Sequence, residues 1–192
     1  EGATIMTHSR SSTVLAALKN AADAGARFCV IATESRPMLE GRALAESLAG
    51  LSVGITLIAD AAAALALKRV DMVLVGADKV TPEDLLSKIG TRMIALAARE
   101  RGVPVYAICD TSKFTAYHGP CVRAGERSAD ELWADAPEGV EVFNAYFEPT
   151  PLDYFTGVIT EEGVLQPDQV RPRARSAVVH PALLNALSEE SA

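Results

Sequence analysis

The chain has 192 residues, of which 49% are apolar and only 5% are aromatic. This composition predicts a single α/β domain over residues 1–192, with a core of Ala, Val, Leu and Ile. The net charge of −7 and the lack of a Lys/Arg cluster argue against direct nucleic-acid binding, and no apolar run is long enough to span a membrane, so we expect a cytoplasmic protein.

Short apolar runs alternate with helix-forming stretches in the first part of the chain. We predict strands over residues 4–7, 28–32, 53–58, 72–75 and 103–109. We predict helices over residues 12–24, 41–48, 61–67 and 81–101. Thr81 would cap the last helix, with Pro82 at its first position. The alternation predicts a Rossmann-like parallel sheet with helices on both faces.

The pattern weakens beyond residue 112. Brief strands are predicted at residues 142–143, 158–159 and 164–165, and a short helix at residues 182–187. Pro149 and Pro151 indicate a loop between the first two of these strands. Residues 167–175, with Arg171, Arg173 and Arg175, are polar and interrupted by proline, which indicates a solvated loop or tail.

Ligands of such sheets bind beyond the carboxyl ends of the strands, so the loops at those ends are the candidate site. Residues 7–12 lead directly into a helix, whose free N–H groups and hydroxyls would bind an anion. Simple capping by Ser11 or Ser12 is the alternative, and the more common one. Glu34 and Arg36 either grip a polyhydroxy ligand or pair with each other, and we expect Asp60 to cap the Ala-rich helix.

Three further residues on the same side carry charge. Asp78 follows an apolar strand, where partial burial would raise its pKa and make it an acid or base; a loop-capping role is equally consistent. Lys88, beside Ser87 on the predicted helix, and Lys113 are candidate phosphate partners, although a lone lysine is usually only solvated.

The sequence indicates no metal and no other cofactor. Its cysteines lack metal-site spacing and its histidines are scattered. Cys29 and Cys109 lie in apolar runs, and we expect both thiols in the core.

These loops resemble a family that contains the alpha, beta and delta subunits of translation initiation factor 2B, methylthioribose-1-phosphate isomerase and ribose-1,5-bisphosphate isomerase. The matching segments follow one another in the family's order across most of the chain: residues 5–11, 33–37, 75–78, 88–91, 112–114, 144–151 and 159–165.

The resemblance implies a Rossmann-like carboxyl-terminal domain that follows a helical amino-terminal domain, which would lie before Glu1. It also implies a homodimer or higher homo-oligomer. The family's isomerases convert an aldose 1-phosphate to a ketose 1-phosphate without a cofactor. A Cys and an Asp exchange protons, while an Asn-Lys pair and a later Lys hold the ligand. Residue by residue, the resemblance places the Asp at Asp78, the paired Lys at Lys88 and the later Lys at Lys113.

Two positions depart from that pattern: Ser9 stands at the Cys position and Ser87 at the Asn position. A serine hydroxyl is a much poorer acid than a thiol, whose pKa is about 8.5. If the first strand continues, His8 should point away from Ser9. The resemblance therefore assigns Asp78 and Ser9 to the catalytic positions, and we assign ligand binding to Ser11, Arg36, Ser87, Lys88 and Lys113.

Three hypotheses follow. Ser9 in place of Cys favours a non-catalytic ligand-sensing or assembly module with a pocket for a phosphorylated sugar or nucleotide. The Asp78, Lys88 and Lys113 set favours a sugar-phosphate isomerase. In the third, the pocket serves only folding. From the sequence alone we narrowly favour the first.

Overall fold

A computed structural model describes residues 2–116 and 127–177 of the chain. The short helix predicted at residues 182–187, Cys121 and two of the three histidines, His118 and His180, lie outside these ranges. No helix in the described part is long and apolar enough to cross a membrane.

The described residues form ten strands and six α-helices. The strands are β1 Ala3–Thr7, β2 Phe28–Thr33, β3 Gly54–Ile58, β4 Met72–Gly76, β5 Lys79–Val80, β6 Asp84–Lys88, β7 Val105–Ile108, β8 Phe147–Pro151, β9 Gly157–Thr160 and β10 Gly163–Leu165. The helices are α1 Ser12–Asp23, α2 Glu40–Leu48, α3 Ala63–Ala66, α4 Thr91–Glu100, α5 Asp130–Trp133 and α6 Pro167–Ser176.

The main sheet has seven strands in the order β10-β9-β7-β4-β1-β2-β3. All neighbours are parallel except β9 and β10, which form an antiparallel pair. From β1 the chain builds outward through β2 and β3, then returns to build through β4 and β7 on the other side. The strand order therefore reverses between β1 and β4, which is where such sheets form their ligand crevice.

Alternate residues of the central strands face two separate cores. Met6 and Val73 belong to a core that also contains residues of α3, α4 and α6, while Val30 and Leu74 belong to a core with residues of α1 and α2. This two-residue period is the burial pattern of a strand covered on both sides. The predicted Rossmann-like sheet with helices on both faces is confirmed.

The helix predicted over residues 81–101 was wrong in its first half, because α4 begins only at Thr91. Residues 79–88 form the antiparallel pair β5 and β6, and β6 also pairs with β8. The Thr81 hydroxyl accepts from the N–H groups of Glu83 and Asp84, so it closes a tight turn rather than capping a helix. Ser87 and Lys88 therefore lie on a strand.

Three further predictions in the second half of the chain were wrong. Pro149 and Pro151 lie in β8, an edge strand of the small sheet, where a missing N–H is tolerated. The polar segment after residue 166 forms α6, which begins with Pro167 at its first turn. Residues 142–143 form no strand, whereas the strands at 158–159 and 164–165 are confirmed as β9 and β10.

The two cysteines within the described residues differ in exposure. Cys109 is buried as expected, and burial raises the pKa of its thiol to about 12. Cys29 is exposed, contrary to expectation. Its register partner in β3 is Gly54, which has no side chain to cover the thiol.

Candidate functional site

A pocket of about 280 Å³ opens at the carboxyl ends of β1 and β4, where the strand order reverses. It is lined by residues 8–13, 75–78 and 87–88, together with Glu40, Thr91, Lys113 and Phe147. The chain thus brings a helix start, three strand ends and the loop after β7 to one cavity. Among the described residues there is no group of side chains that could hold a metal ion.

Six of the seven predicted site residues line this pocket: Ser9, Ser11, Asp78, Ser87, Lys88 and Lys113. The seventh, Arg36, is exposed and does not line it. The loop around Arg36 also differs from expectation. Glu34 pairs with Arg42 at 2.9 Å rather than with Arg36, and Asp60 accepts from the N–H groups of Ser35 and Arg36 instead of capping a helix.

The start of α1 forms one wall of the pocket. Ser11 is the N-cap of α1, and its hydroxyl accepts from the N–H of Val14 at 3.3 Å. Gly76 allows this wall to approach β4, because a Cβ at position 76 would lie 2.5 Å from Ser11 Cβ. Ser11 therefore caps the helix and lines the pocket at the same time.

Asp78 and Lys113 contribute opposite charges to the same pocket. Asp78 is exposed as a residue, but the pocket walls desolvate its carboxyl in part and raise its pKa, while the charge of Lys113 opposes that rise. The N–H of Asp78 donates to Leu86 O, so β6 holds its backbone. A carboxyl with a raised pKa is better suited to both giving and accepting a proton near neutral pH.

Lys88 forms an ion pair with Glu40, a partner that the sequence did not predict. Its Nζ is buried, donates to Glu40 Oε1 at 2.6 Å, and lies 4.9 Å from the centroid of the Tyr146 ring. Glu40 precedes the predicted helix over residues 41–48 and carries no sequence signal for this pairing. Because Glu40 neutralises Lys88, this lysine is not an uncompensated phosphate partner.

Glu40 and Ser87 both line the pocket, and each has a buried oxygen, Glu40 Oε2 and Ser87 Oγ, with no hydrogen-bond partner among the described residues. A buried polar atom without a partner is costly. Both atoms are therefore suited to contact a polar ligand.

His8 also lines the pocket, although the sequence placed it on the opposite face from Ser9. The strand ends at Thr7, and Ser9 adopts a left-handed backbone with φ of 63°, so the alternation does not continue. The His8 ring lies between Thr33 Oγ1, at 2.5 Å from Nδ1, and Ile89 O, at 2.6 Å from Nε2. Burial is the main cause that lowers the pKa of this imidazole.

Comparisons with known proteins agree on one family. The sequence model of the initiation factor 2 subunit family matches residues 1–167. The chain is 42% identical to a ribose 1,5-bisphosphate isomerase of Archaeoglobus fulgidus over 88% of its own length and 55% of that protein's. It is 39% identical to a methylthioribose-1-phosphate isomerase of Maridesulfovibrio salexigens, over 87% of its own length and 54% of that protein's.

Solved structures give the same result. A translation initiation factor eIF-2B of Pyrococcus horikoshii superimposes with a TM-score of 0.78 at 36% identity, covering 87% of this chain and 59% of that one. A 5-methylthioribose 1-phosphate isomerase from the same organism superimposes with a TM-score of 0.80 at 29% identity, covering 98% of this chain and 55% of that one. The chain spans about half the length of the curated relatives it matches.

Proposed function

The chain belongs to the initiation factor 2 subunit family, and we propose that its pocket binds a phosphorylated aldose and converts an aldose 1-phosphate into the corresponding ketose 1-phosphate. The observation that carries this proposal is Asp78, a carboxyl with a raised pKa, facing the same cavity as Lys113 and the start of α1. The isomerase names of two relatives, at 42% and 39% identity, support it.

The proposed reaction is an internal transfer that needs no external oxidant. The bond between C1 and the ring oxygen breaks, and that oxygen takes up a proton to become a hydroxyl. C2 loses its hydrogen, its hydroxyl loses a proton and becomes a carbonyl, and C1 gains a hydrogen, so that two hydrogens leave and two are gained. Each stage requires a group that delivers or takes up a proton at the sugar. We assign that role to Asp78, because its raised pKa favours exchange in both directions.

The pocket is best suited to a substrate that is polar at both ends. Arg10 and the N–H groups at the start of α1 would hold one phosphate, and Lys113 a second. The sugar hydroxyls would meet Ser87 Oγ and Glu40 Oε2, which are otherwise unpaired. Few apolar side chains line the cavity, so we favour a pentose bisphosphate over a methylthio sugar.

Ser9 supports a second candidate function. Its hydroxyl cannot replace a thiolate as a base, and this favours a pocket that binds a phosphorylated sugar or nucleotide without turnover. The isomerase relatives weigh against that alternative, which the sequence alone had favoured.

The test is to incubate the full-length protein with ribose 1,5-bisphosphate and, separately, with methylthioribose 1-phosphate, and to follow ketose formation by carbon-13 NMR. We expect turnover of the bisphosphate and faster turnover by Ser9→Cys, which restores a thiol. Saturable binding without turnover by either protein would support the binding module.

Lys113→Ala tests the pocket under both functions. We expect it to weaken binding of the bisphosphate, while Lys68→Ala, an exposed lysine outside the pocket, should leave binding unchanged. Equal binding by both variants would contradict the assignment of the pocket. The homo-oligomer and the preceding helical domain remain predictions, which light scattering and limited proteolysis of the full-length protein would test.

A further inference from the structure

The His8 ring connects two parts of the pocket wall that are far apart in sequence. Only 4% of His8 is exposed, and both ring nitrogens have partners. Nε2 meets Ile89 O, in the turn that follows Lys88, and Nδ1 meets Thr33 Oγ1 at the end of β2. The ring therefore spans the distance from β2 to the turn between β6 and α4.

The partners determine which atoms carry the protons. Ile89 O can only accept, so Nε2 donates, and in a neutral ring Nδ1 must then accept from the Thr33 hydroxyl. Ser35 Oγ lies 3.2 Å from Thr33 Oγ1 and accepts from the N–H of Ser9 at 2.7 Å. A continuous chain of hydrogen bonds thus runs from the Ser9 backbone, through His8, to the Ile89 carbonyl.

Both ends of this chain lie at or beside a residue with a positive φ. Ser9 has a left-handed φ, which non-glycine residues seldom adopt. Gly90 has a φ of 101°, and a Cβ there would lie 3.0 Å from His8 Nε2. Surrounding contacts must therefore hold Ser9 in place, while the lack of a side chain at Gly90 leaves room for the His8 ring.

We propose that His8 is a positioning residue, which holds Ser9 and the turn after Lys88 across the pocket in the geometry that the reaction requires. This rests on the proposed isomerase function. His8 acts through its neighbours, because its own nitrogens are occupied by Thr33 and Ile89 and are not available to the substrate.

The charged groups around the ring are consistent with a neutral imidazole. Asp60, from the segment after β3, lies 4.0 Å from Nδ1, and both its oxygens are engaged by backbone N–H groups. Lys88 from β6 and Glu40 from α2 exert opposite effects on the ring. Burial is the largest influence and favours the uncharged form.

The experiment compares His8→Gln with His8→Phe in the full-length protein. A glutamine amide offers one acceptor and one donor, as the neutral ring does, whereas phenylalanine offers neither. We expect His8→Phe to lower kcat by about tenfold or more, the size expected when buried partners are left unsatisfied, with a smaller change in KM. His8→Gln should retain most of the activity and the same pH profile above pH 6.5.

Thr33→Val provides an independent variant if His8→Phe does not fold. It removes only the hydroxyl that donates to Nδ1, and we expect a loss of kcat in the same direction. Thr150→Val is its matched control, because Thr150 is also buried and its hydroxyl has no described partner and lies outside the pocket. Unchanged kcat in Thr33→Val, or an equal loss in His8→Gln and His8→Phe, would overturn the proposal.

Nitrogen-15 NMR of labelled histidine separates this proposal from the proposed function. If the wild-type protein shows no turnover at all, the isomerase function is wrong, but the His8 bridge still predicts a neutral ring with the proton on Nε2 at pH 6.5. His8→Gln identifies the signal by its disappearance. A proton on Nδ1, or a charged ring at that pH, would overturn the proposed bridge.

Discussion

Gly76→Ala should destabilise the protein through a single contact. The new Cβ would lie 2.5 Å from Ser11 Cβ and 2.6 Å from Ser11 Oγ, closer than such atoms can approach. The hydroxyl could rotate away, but Ser11 Cβ is fixed to the backbone, so the start of α1 must move. Overpacking of this kind costs about 1–3 kcal/mol, and loss of the helix cap adds about 1 kcal/mol.

Reduced entropy of the unfolded chain returns about 0.4–1 kcal/mol, as for most Gly→Ala changes. We therefore expect a net loss of about 2 kcal/mol, which corresponds to a Tm lowered by roughly 4–8 °C in a chain of this size. Calorimetry of Gly76→Ala measures this fall in Tm. Gly50→Ala is the control, because a Cβ at position 50 has no atom within 4 Å. Isothermal titration with inorganic phosphate should also show weaker binding. If the two variants have the same Tm, the predicted clash between position 76 and the start of α1 is wrong.

Three further predictions concern buried polar groups. Ser87→Ala should melt no lower than the wild type, since the Ser87 hydroxyl has no partner among the described residues, but it should bind ribose 1,5-bisphosphate more weakly. The control Thr150→Val should also keep its melting temperature but should bind the sugar as the wild type does. Equal binding by the two variants would exclude a ligand contact at Ser87. Lys88→Met should lower the free energy of unfolding by about 1–3 kcal/mol in urea titrations, because it leaves the Glu40 carboxylate without its partner. An unchanged free energy of unfolding would contradict the pairing of Lys88 with Glu40. His8 has a lowered pKa, so its stabilising effect should be complete above pH 6.5 and decline as the pH falls below it; melting curves of His8→Gln should lack that decline.

The alternation of strands and helices could be predicted where the local signal and the tertiary environment agree. Residues 84–88 show where they disagree. Thr81 and Pro82 resemble a helix start, but Leu85 and Ser87 are buried on a strand that pairs with β8, and that partner lies about 60 residues away. A strand pairing between residues so far apart in the chain cannot be predicted from the local sequence.

The candidate site was predictable because the carboxyl ends of parallel strands meet at one edge of the sheet. Ser9, Asp78 and Lys113 follow β1, β4 and β7, and this topology alone brings them together. Glu40 and the bridging role of His8 could not be predicted, because they depend on contacts between side chains of separate elements. Arg36 does not line the pocket, and the sequence carries no signal for the hydrogen bond that its backbone N–H donates to Asp60.

The most direct test of the central claim is turnover of ribose 1,5-bisphosphate by Asp78→Asn in the full-length protein. Because the pKa of Asp78 is raised, its charge opposes folding at neutral pH, so Asp78→Asn should melt no lower than the wild type. The account predicts that this stable variant binds the sugar but forms no ketose, while Asp23→Asn, an exposed carboxyl at the end of α1, remains active. Ketose formation by Asp78→Asn at the wild-type rate would contradict it.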